Sequence, residues 1–210
     1  MRFASPAAVF LATLTLSSCG GGAEKNPAPV TVTLTSTPAL DGLVFAGGTV
    51  TLSSNVTAGD YANALGPQGG IRGFVSFDLS TIPAGATVVS ATLTLVQRNV
   101  NSNPYATLGS LLLDQVVYGS VLEACAYARS FPSSQGFATL AGSAVLGPQT
   151  VPVTAQVQDD LDAPRLQSQF RLRFAVEDDL DADSDQAQFW SAETALVPGD
   201  RPTLVVTYLP

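Results

Sequence analysis

The sequence predicts an all-β fold, one antiparallel β-sandwich with a single short helix, over residues 31–210. Apolar and polar residues alternate along several short runs, which indicates strands that bury one face and expose the other. Turn sequences rich in Gly and Pro separate these runs. Only one stretch has helical spacing. Many short strands with such turns are typical of an antiparallel sandwich, so we expect one domain of this kind.

The strand pattern is clearest in the run QFRLRFAVE at 169–177. Its predicted core residues are Phe170, Leu172, Phe174 and Val176, and its predicted water-facing residues are Arg171, Arg173 and Glu177. The same alternation predicts strands at 31–37, 48–54, 71–80, 86–98 and 202–209. Within them, it places Val89 in the core and Arg72, Ser76 and Asp78 in water.

The helix candidate is the run VTAQVQDDLDAP at 153–164. Val153, Val157 and Leu161 recur every fourth residue, which is the spacing of one helix face. Pro164 closes the run, because proline cannot continue a helix. We therefore expect about two helical turns that cover one end of the sandwich.

The first eighteen residues read as a signal peptide, with one positive charge at Arg2 and a short apolar segment before small residues. Leu16-Ser17-Ser18-Cys19 resembles the bacterial lipobox, which predicts cleavage before Cys19 and lipidation of its thiol. Residues 19–30 begin CGGG and read as a flexible tether. Lipid on Cys19 predicts a membrane anchor at the bacterial cell envelope, at the outer membrane or cell surface. The alternative is an ordinary secreted protein with an incidental Cys19.

Charge and composition exclude several functions. The chain carries a net charge of −8, and −9 without residues 1–18, so we expect no nucleic-acid binding, which needs clustered basic residues. It has no histidine, which excludes Ser-His-Asp and Cys-His catalysis and the usual zinc ligands. With Cys19 lipidated, Cys125 has no intrachain disulfide partner. Its neighbours in LEACAYA are small and apolar, so we expect it to be buried.

Four motifs resemble the DNRLRE domain family. They are RGFVSFDLSTIPAGATVVSATLTLV at 72–96, VPVTAQVQDDL at 151–161, FWSAE at 189–193 and RPTLVVTY at 201–208. Members of this family are jelly-roll β-sandwiches related to disaggregatase and carbohydrate-binding modules. The resemblance implies a jelly-roll topology and, for some members, binding of polysaccharide or cell-surface glycan.

The acidic run EDDLDADSDQ at 177–186 joins two predicted strands. Asp179, Asp181, Asp183 and Asp185 have the D-x-D-x-D rhythm of calcium loops, and clustered carboxylates suit calcium. The run is not an EF-hand, because Ser184 stands where that loop needs Gly and Trp190 stands at its twelfth position. Two interpretations stay open, a looser calcium site and a solvated acidic turn that keeps a sheet edge soluble. No other cofactor is predicted.

These features together predict a non-catalytic surface lipoprotein that binds glycan or other envelope material. Sugar stacking needs exposed aromatic rings, for which the candidates are Tyr61, Tyr105, Tyr118, Tyr127 and Trp190. Phe189 and Trp190 are adjacent in a strand, so one must face the core and the other outward. The sequence assigns no particular residue to sugar binding. One alternative is a structural envelope lipoprotein that binds protein and no sugar. Another is a polysaccharide-cleaving enzyme that uses carboxylates such as Glu123 and Glu193.

Overall fold

The computed structural model describes residues 27–52, 54–62, 69–129 and 135–210. The predicted signal peptide, Cys19 and most of the tether lie outside the described residues. Among the described residues, no helix has the length and apolar character needed to cross a bilayer.

The described chain contains twelve strands and two α-helices. The strands are β1 (Val30–Thr35), β2 (Gly42–Phe45), β3 (Val50–Leu52), β4 (Val56–Tyr61), β5 (Gly69–Asp78), β6 (Thr87–Asn101), β7 (Leu111–Gln115), β8 (Ala138–Ala141), β9 (Gly147–Pro152), β10 (Gln167–Phe174), β11 (Gln186–Phe189) and β12 (Thr203–Leu209). The helices are α1 (Pro104–Thr107) and α2 (Thr154–Asp162), and short 3₁₀ turns lie at Pro38–Leu40, Ala124–Ala126 and Pro198–Asp200.

Eight of the strands form a jelly roll. One layer has the order β1-β12-β6-β9, and the other has the order β5-β10-β7-β8, with every neighbouring pair antiparallel. The β2–β3 hairpin adds to the second layer through β5. Strands β11 and β4 connect the layers along one side, because β11 pairs with both β6 and β4, and β4 pairs with β5. The predicted all-β antiparallel sandwich is confirmed.

The main core lies between the two layers. Its large side chains come from alternate positions of β5, β6, β10 and β12, and include Val75, Phe77, Leu93, Leu95, Phe170, Leu172, Leu204 and Val206, all fully buried. These residues were predicted to face inward, and that prediction is confirmed. Burial of a large apolar side chain stabilises the fold by about 1.5–3 kcal/mol.

A β-bulge in β6 makes one core prediction wrong. The pairing of β12 with β6 shifts so that Thr207 faces Ser90 whereas Tyr208 faces Val88, and this register passes over Val89. Val88 is buried, and Val89 is 52% exposed, although it was predicted in the core. A bulge moves one residue out of the alternation, so period-two counting fails beyond it. Val176 is also exposed, because β10 ends at Phe174.

The outer face of the β5-β10-β7 layer does not lie in water, as the alternation predicted. Residues 116–129, which we call the cover segment, lie over it. Together with β2 and the turn at Pro38–Leu40 they enclose a second apolar cluster of Leu40, Val44, Phe74, Val116, Tyr118, Leu122 and Ala126. Phe74 and Tyr118 pack edge to face, with ring centroids 5.5 Å apart. Ser76 and Arg171, both predicted in water, are therefore buried.

A buried ion pair fixes the cover segment to the sheet. Asp114 Oδ2 accepts hydrogen bonds from Arg171 Nε at 2.9 Å and Nη2 at 2.6 Å, and from Arg173 Nε at 2.9 Å. Arg171 Nη1 donates to three carbonyl oxygens of the cover segment, those of Ala126, Tyr127 and Arg129. Arg171 is 2% exposed and Asp114 is fully buried. Because a guanidinium has five donors in a fixed plane, one side chain can hold both a carboxylate and a loop.

The predicted helix is confirmed as α2, with Val153 and Val157 fully buried. It packs on β6 and β10, and two of its polar side chains accept hydrogen bonds from β6. Thr154 Oγ1 accepts the Ala91 N–H at 3.0 Å, and Gln158 Oε1 accepts the Val88 N–H at 2.7 Å. The helix thus covers the end of the sandwich where β6 begins.

Cys125 is exposed, so the prediction that it is buried is wrong. It lies in the 3₁₀ turn Ala124–Ala126, where Ala126 faces the second apolar cluster. Adjacent side chains point in different directions in so tight a turn. The apolar character of the run therefore could not predict which of its side chains is buried.

Candidate functional site

The acidic loop between β10 and β11 packs against the end of β4. Gly59 makes this possible, because it has a φ of +143° and a Cβ there would collide with the carbonyl of Asp185. The Asp60 N–H donates to the carbonyl oxygen of Asp185 at 2.9 Å, and the Asp185 N–H donates to Asp60 Oδ1 at 2.8 Å. These two bonds bring the Asp60 side chain into the loop.

The loop gathers carboxylates into two adjoining groups that share Asp179. One group holds Asp60, Asp178 and Asp179, and the other holds Asp179, Asp181 and Asp185. In each group the carboxylate oxygens lie within 4.8 Å of one another. Three of the four predicted metal ligands therefore come together, and Asp183 belongs to neither group.

Two members of the groups were missed in the sequence. Asp178 lies in the same acidic run, one residue before the D-x-D-x-D rhythm begins. Asp60 is distant in sequence, and its side chain lies beside the loop only because β4 pairs with β11. The spacing of residues within the loop could not identify Asp60. Only a prediction that β4 pairs with β11 would have placed it there.

Several of the loop carboxylates also bond to the loop backbone. Asp178 Oδ1 accepts the Leu180 N–H, Asp179 Oδ1 accepts the Asp181 N–H, and Asp181 Oδ1 accepts the Asp183 N–H. Such Asx turns stabilise a loop without any ion. Ser184, which stands at the glycine position of an EF-hand, accepts the Ala62 N–H at 2.9 Å. The left-handed residue of this loop is Leu180 with a φ of 62°, so its path differs from that of an EF-hand.

Asp185 connects the loop to helix α1. Its Oδ1 accepts the Asn103 N–H at 2.7 Å, and its Oδ2 accepts the Thr107 hydroxyl at 2.6 Å. The side chain is 1% exposed. This carboxylate therefore has a structural role whether or not the loop binds a cation.

The pKa of Asp60 is raised to about 6, chiefly by burial and in part by the charges of Asp179 and Asp185, although backbone N–H groups of Asp185 and Asp179 oppose the shift. Asp60 is 2% exposed, so its negative charge has little access to water. A cation between these oxygens would favour the ionised form and relieve the repulsion.

The donor set suits a hard cation. Calcium takes six to eight oxygen ligands at 2.3–2.6 Å and tolerates irregular geometry. The two groups offer five carboxylates, and backbone carbonyls or water can complete such a set. The arrangement is a possible acidic metal-binding cluster.

The predicted aromatic candidates differ in exposure. Phe189 is buried and Trp190 is half-buried, as expected of one inward and one outward residue, and the Arg98 guanidinium lies 4.0 Å from the centre of the Trp190 ring. Tyr118 is only 6% exposed. The Tyr105 ring packs against Phe174, and its hydroxyl donates to Gln97 Oε1.

Tyr61 lines a hollow on the surface. Its ring packs edge to face against Phe45, with centroids 5.1 Å apart, and both side chains are half-buried. Gly47 and Thr49 complete the lining of this hollow, whose volume is about 280 Å³. We call it the aromatic hollow.

The two glutamates considered for catalysis are both exposed and lie on different loops. Glu123 precedes the 3₁₀ turn of the cover segment, and Glu193 lies in the turn after β11, where its Oε2 accepts the Ser191 hydroxyl at 3.3 Å.

A scan of the chain against protein-family models and a search of curated proteins each found no match. The resemblance to the DNRLRE family stays a prediction from the four motifs.

The raised pKa of Asp60 fixes the sign of a pH effect on stability. The ordinary value is 3.8, so between about 4 and about 6 the folded chain binds more protons than the unfolded chain. Stability therefore falls as the pH rises through this interval. Asp41, fully buried, adds an effect of the same sign between about 4 and about 7, because burial raises its pKa from 3.8 to about 7.

We expect urea unfolding of the full chain in a calcium chelator to show this fall, with Asp60 contributing up to about 1.4 kcal/mol per pH unit. Asp60→Asn removes one titrating group. The free energy of unfolding should then fall less steeply between pH 4 and pH 6, whatever the effect of the substitution on absolute stability. Asp78→Asn changes the charge equally at an exposed position and is the control. An Asp60→Asn profile as steep as that of the control would contradict the account.

Proposed function

We propose that the protein is a non-catalytic, lipid-anchored protein of the cell envelope whose β-sandwich binds glycan or other envelope material. The aromatic hollow carries this proposal. Its two rings, Phe45 and Tyr61, are partly open to solvent in a concave site, and concave sites lined by aromatic groups are typical of ligand binding.

The hollow matches the chemistry of a neutral sugar. One face of a sugar ring carries C–H groups that pack on an aromatic ring, and its hydroxyls need hydrogen-bond partners. The Tyr61 hydroxyl lies beside Gly47 and Gly69, where a Cβ would be 3.8 and 3.5 Å from its oxygen. Gly47 is exposed, so the side chain it lacks leaves room for a hydroxylated ligand beside this hydroxyl.

A calcium ion in the acidic loop would fit the same proposal. Asp60 belongs to one of the carboxylate groups, and the next residue of β4 is Tyr61 of the hollow. A cation held there would order the end of β4 from one side of the strand while Tyr61 lies on the other. Calcium would then stabilise the hollow without contacting the sugar.

The lipid on Cys19 would hold the domain at the membrane. Strand β1 begins at Val30, so ten residues separate the anchor from the sandwich. A Gly-rich tether of that length, if it behaves as a random coil, would span about 17 Å on average. This distance would let the domain reach material just above the lipid surface.

A structural envelope protein that binds another protein and no sugar is the second candidate. One observation favours it, which is that Arg98 covers the ring of Trp190, the only tryptophan of the chain. The ring face covered in this way is not open for stacking against a sugar.

Calcium should raise the thermal unfolding midpoint of the full chain. A ligand present at a hundred times its dissociation constant stabilises by about 2.7 kcal/mol. Asp179→Asn should abolish the shift because Asp179 belongs to both carboxylate groups, whereas Asp183→Asn, in the same loop, should keep it. No shift in the unaltered protein would remove the metal site, and an equal loss in both variants would contradict the ligand assignment.

Tyr61→Ala should weaken binding of neutral polysaccharides on a glycan array by about tenfold, since it removes buried ring area and stacking. Tyr61→Phe keeps the ring and should retain most of the binding. The proposal of sugar binding fails if the unaltered chain binds no glycan. The choice of site fails if the alanine variant binds as well as the phenylalanine variant.

A further inference from the structure

A second concavity collects much of the positive charge of this acidic protein. It has a volume of about 410 Å³ and is lined by Arg72, Tyr127, Ala128, Arg129, Gln135, Arg171 and Arg173. We call it the arginine cleft. Four of the nine basic residues in the whole chain line it, although the chain has a net charge of −8.

The positive charge of the cleft exceeds its negative charge. Asp114 pairs with Arg171 and Arg173, and Glu177 pairs with Arg72 at 3.3 Å. Four guanidiniums against these two carboxylates leave an excess of two positive charges. Glu177 is about half exposed, so its pairing with Arg72 is screened by water and is easily replaced.

The guanidiniums have different tasks. Arg171 is fully occupied by Asp114 and by carbonyls of the cover segment. Arg173 is half-buried, and its Nη2 has no partner among the described residues. Arg129 is exposed; its Nη1 donates to the Val117 carbonyl at 3.0 Å, and its Nη2 lies 3.3 Å from the sulfur of Cys125, which is a weak acceptor. The Nη2 groups of Arg173 and Arg129 can therefore donate to a ligand, and Arg171 keeps the wall rigid.

The wall also contains unused polar atoms. Arg72 Nε and the Tyr127 hydroxyl are buried and have no hydrogen-bond partner in the described structure. The Arg72 guanidinium lies 4.1 Å from the centre of the Tyr127 ring, which holds both side chains in place. Two polar atoms beside the cleft thus lack a hydrogen-bond partner among the described residues.

The guanidinium groups of the cleft repel one another. Burial lowers the pKa of both Arg72 and Arg171 below the usual value, and repulsion from Arg173 lowers each further, against the opposing effect of Glu177 and Asp114 respectively. An anion would relieve this repulsion.

We infer that the arginine cleft binds the carboxylate of an acidic sugar unit within a glycan, an inference that rests on the proposed function. Guanidinium groups bind carboxylates through paired, charge-assisted hydrogen bonds. Gln135 lines the same cleft and can bond to sugar hydroxyls. The volume of the cleft lies within the range of small-ligand sites. A densely charged polyanion such as nucleic acid is disfavoured by the acidic remainder of the surface.

The cleft and the aromatic hollow border the same part of β5. Arg72 of the cleft pairs with Val44, and the adjacent residue Ile71 pairs with Phe45 of the hollow. Successive residues of a strand face opposite sides of a sheet, so the two sites lie on opposite faces near one end of β5. Neutral and acidic units of one glycan could thus be recognised by separate sites.

The test measures binding of the full chain to a panel of uronate-containing polysaccharides and to the same polymers after reduction of their carboxyl groups to alcohols. We expect binding to at least one acidic polymer and its loss on reduction. Arg173→Gln and Arg129→Gln should each weaken binding by about tenfold or more, as for a charged hydrogen bond. Arg129 is exposed, so its variant tests the cleft even if Arg173→Gln disturbs the fold. Arg201→Gln, exposed and outside the cleft, is the control of equal charge.

Several outcomes would overturn the inference. They are equal binding of the acidic and reduced polymers, absence of binding to any acidic polymer, or an equal effect of Arg201→Gln. Binding of inorganic sulfate or of single-stranded DNA as tight as that of the uronates, with the same dependence on Arg173, would also overturn it. Neutral-glycan binding that depends on Tyr61 but not on Arg173 would leave the proposed function standing and refute the cleft. Acidic-glycan binding that depends on Arg173 but not on Tyr61 would support the cleft and refute the hollow.

Discussion

The ion pair between Asp114 and Arg171 is the interaction on which the outer half of this protein depends. A buried charge is costly unless its partner and its remaining hydrogen bonds are in place. Here Asp114 neutralises Arg171, and the remaining donors of Arg171 bind carbonyls of the cover segment. The pair therefore holds the cover segment over the outer face of the β5-β10-β7 layer, and its Arg171 lines the arginine cleft.

The alternation of residues predicted the antiparallel sandwich well but not its second apolar cluster. Phe170, Leu172 and Phe174 lie in the main core as expected, because a strand with one apolar face must bury it. The opposite face contains arginine and serine, which the pattern reads as facing water. Whether such a face meets solvent or a folded loop depends on the loop, and residues 116–129 show no periodic signal of their own. The bulge that exposes Val89 was not predicted for a related reason, because the register of β6 is set by its partner strand.

The acidic loop shows the same division between local and long-range information. Its composition identified Asp179, Asp181 and Asp185 as candidates, and these three do come together. The composition also suggested Asp183, which the actual turns direct elsewhere, and it could not include Asp60 from β4. The arginine cleft is wholly long-range. Its arginines come from β5, β10 and the cover segment, and the net negative charge of the chain gave no sign of it.

Amide hydrogen exchange of the full chain carrying Asp114→Asn tests the central claim most directly. Breaking a buried ion pair costs about 3–5 kcal/mol, so amides of the cover segment should exchange more than about 100-fold faster, while those of β6 and β12 keep most of their protection. Asp78→Asn removes an exposed carboxylate and should leave both regions unchanged. Unchanged exchange in the cover segment of Asp114→Asn, or an equal increase in β6 and β12, would contradict the claim that this ion pair holds the cover in place.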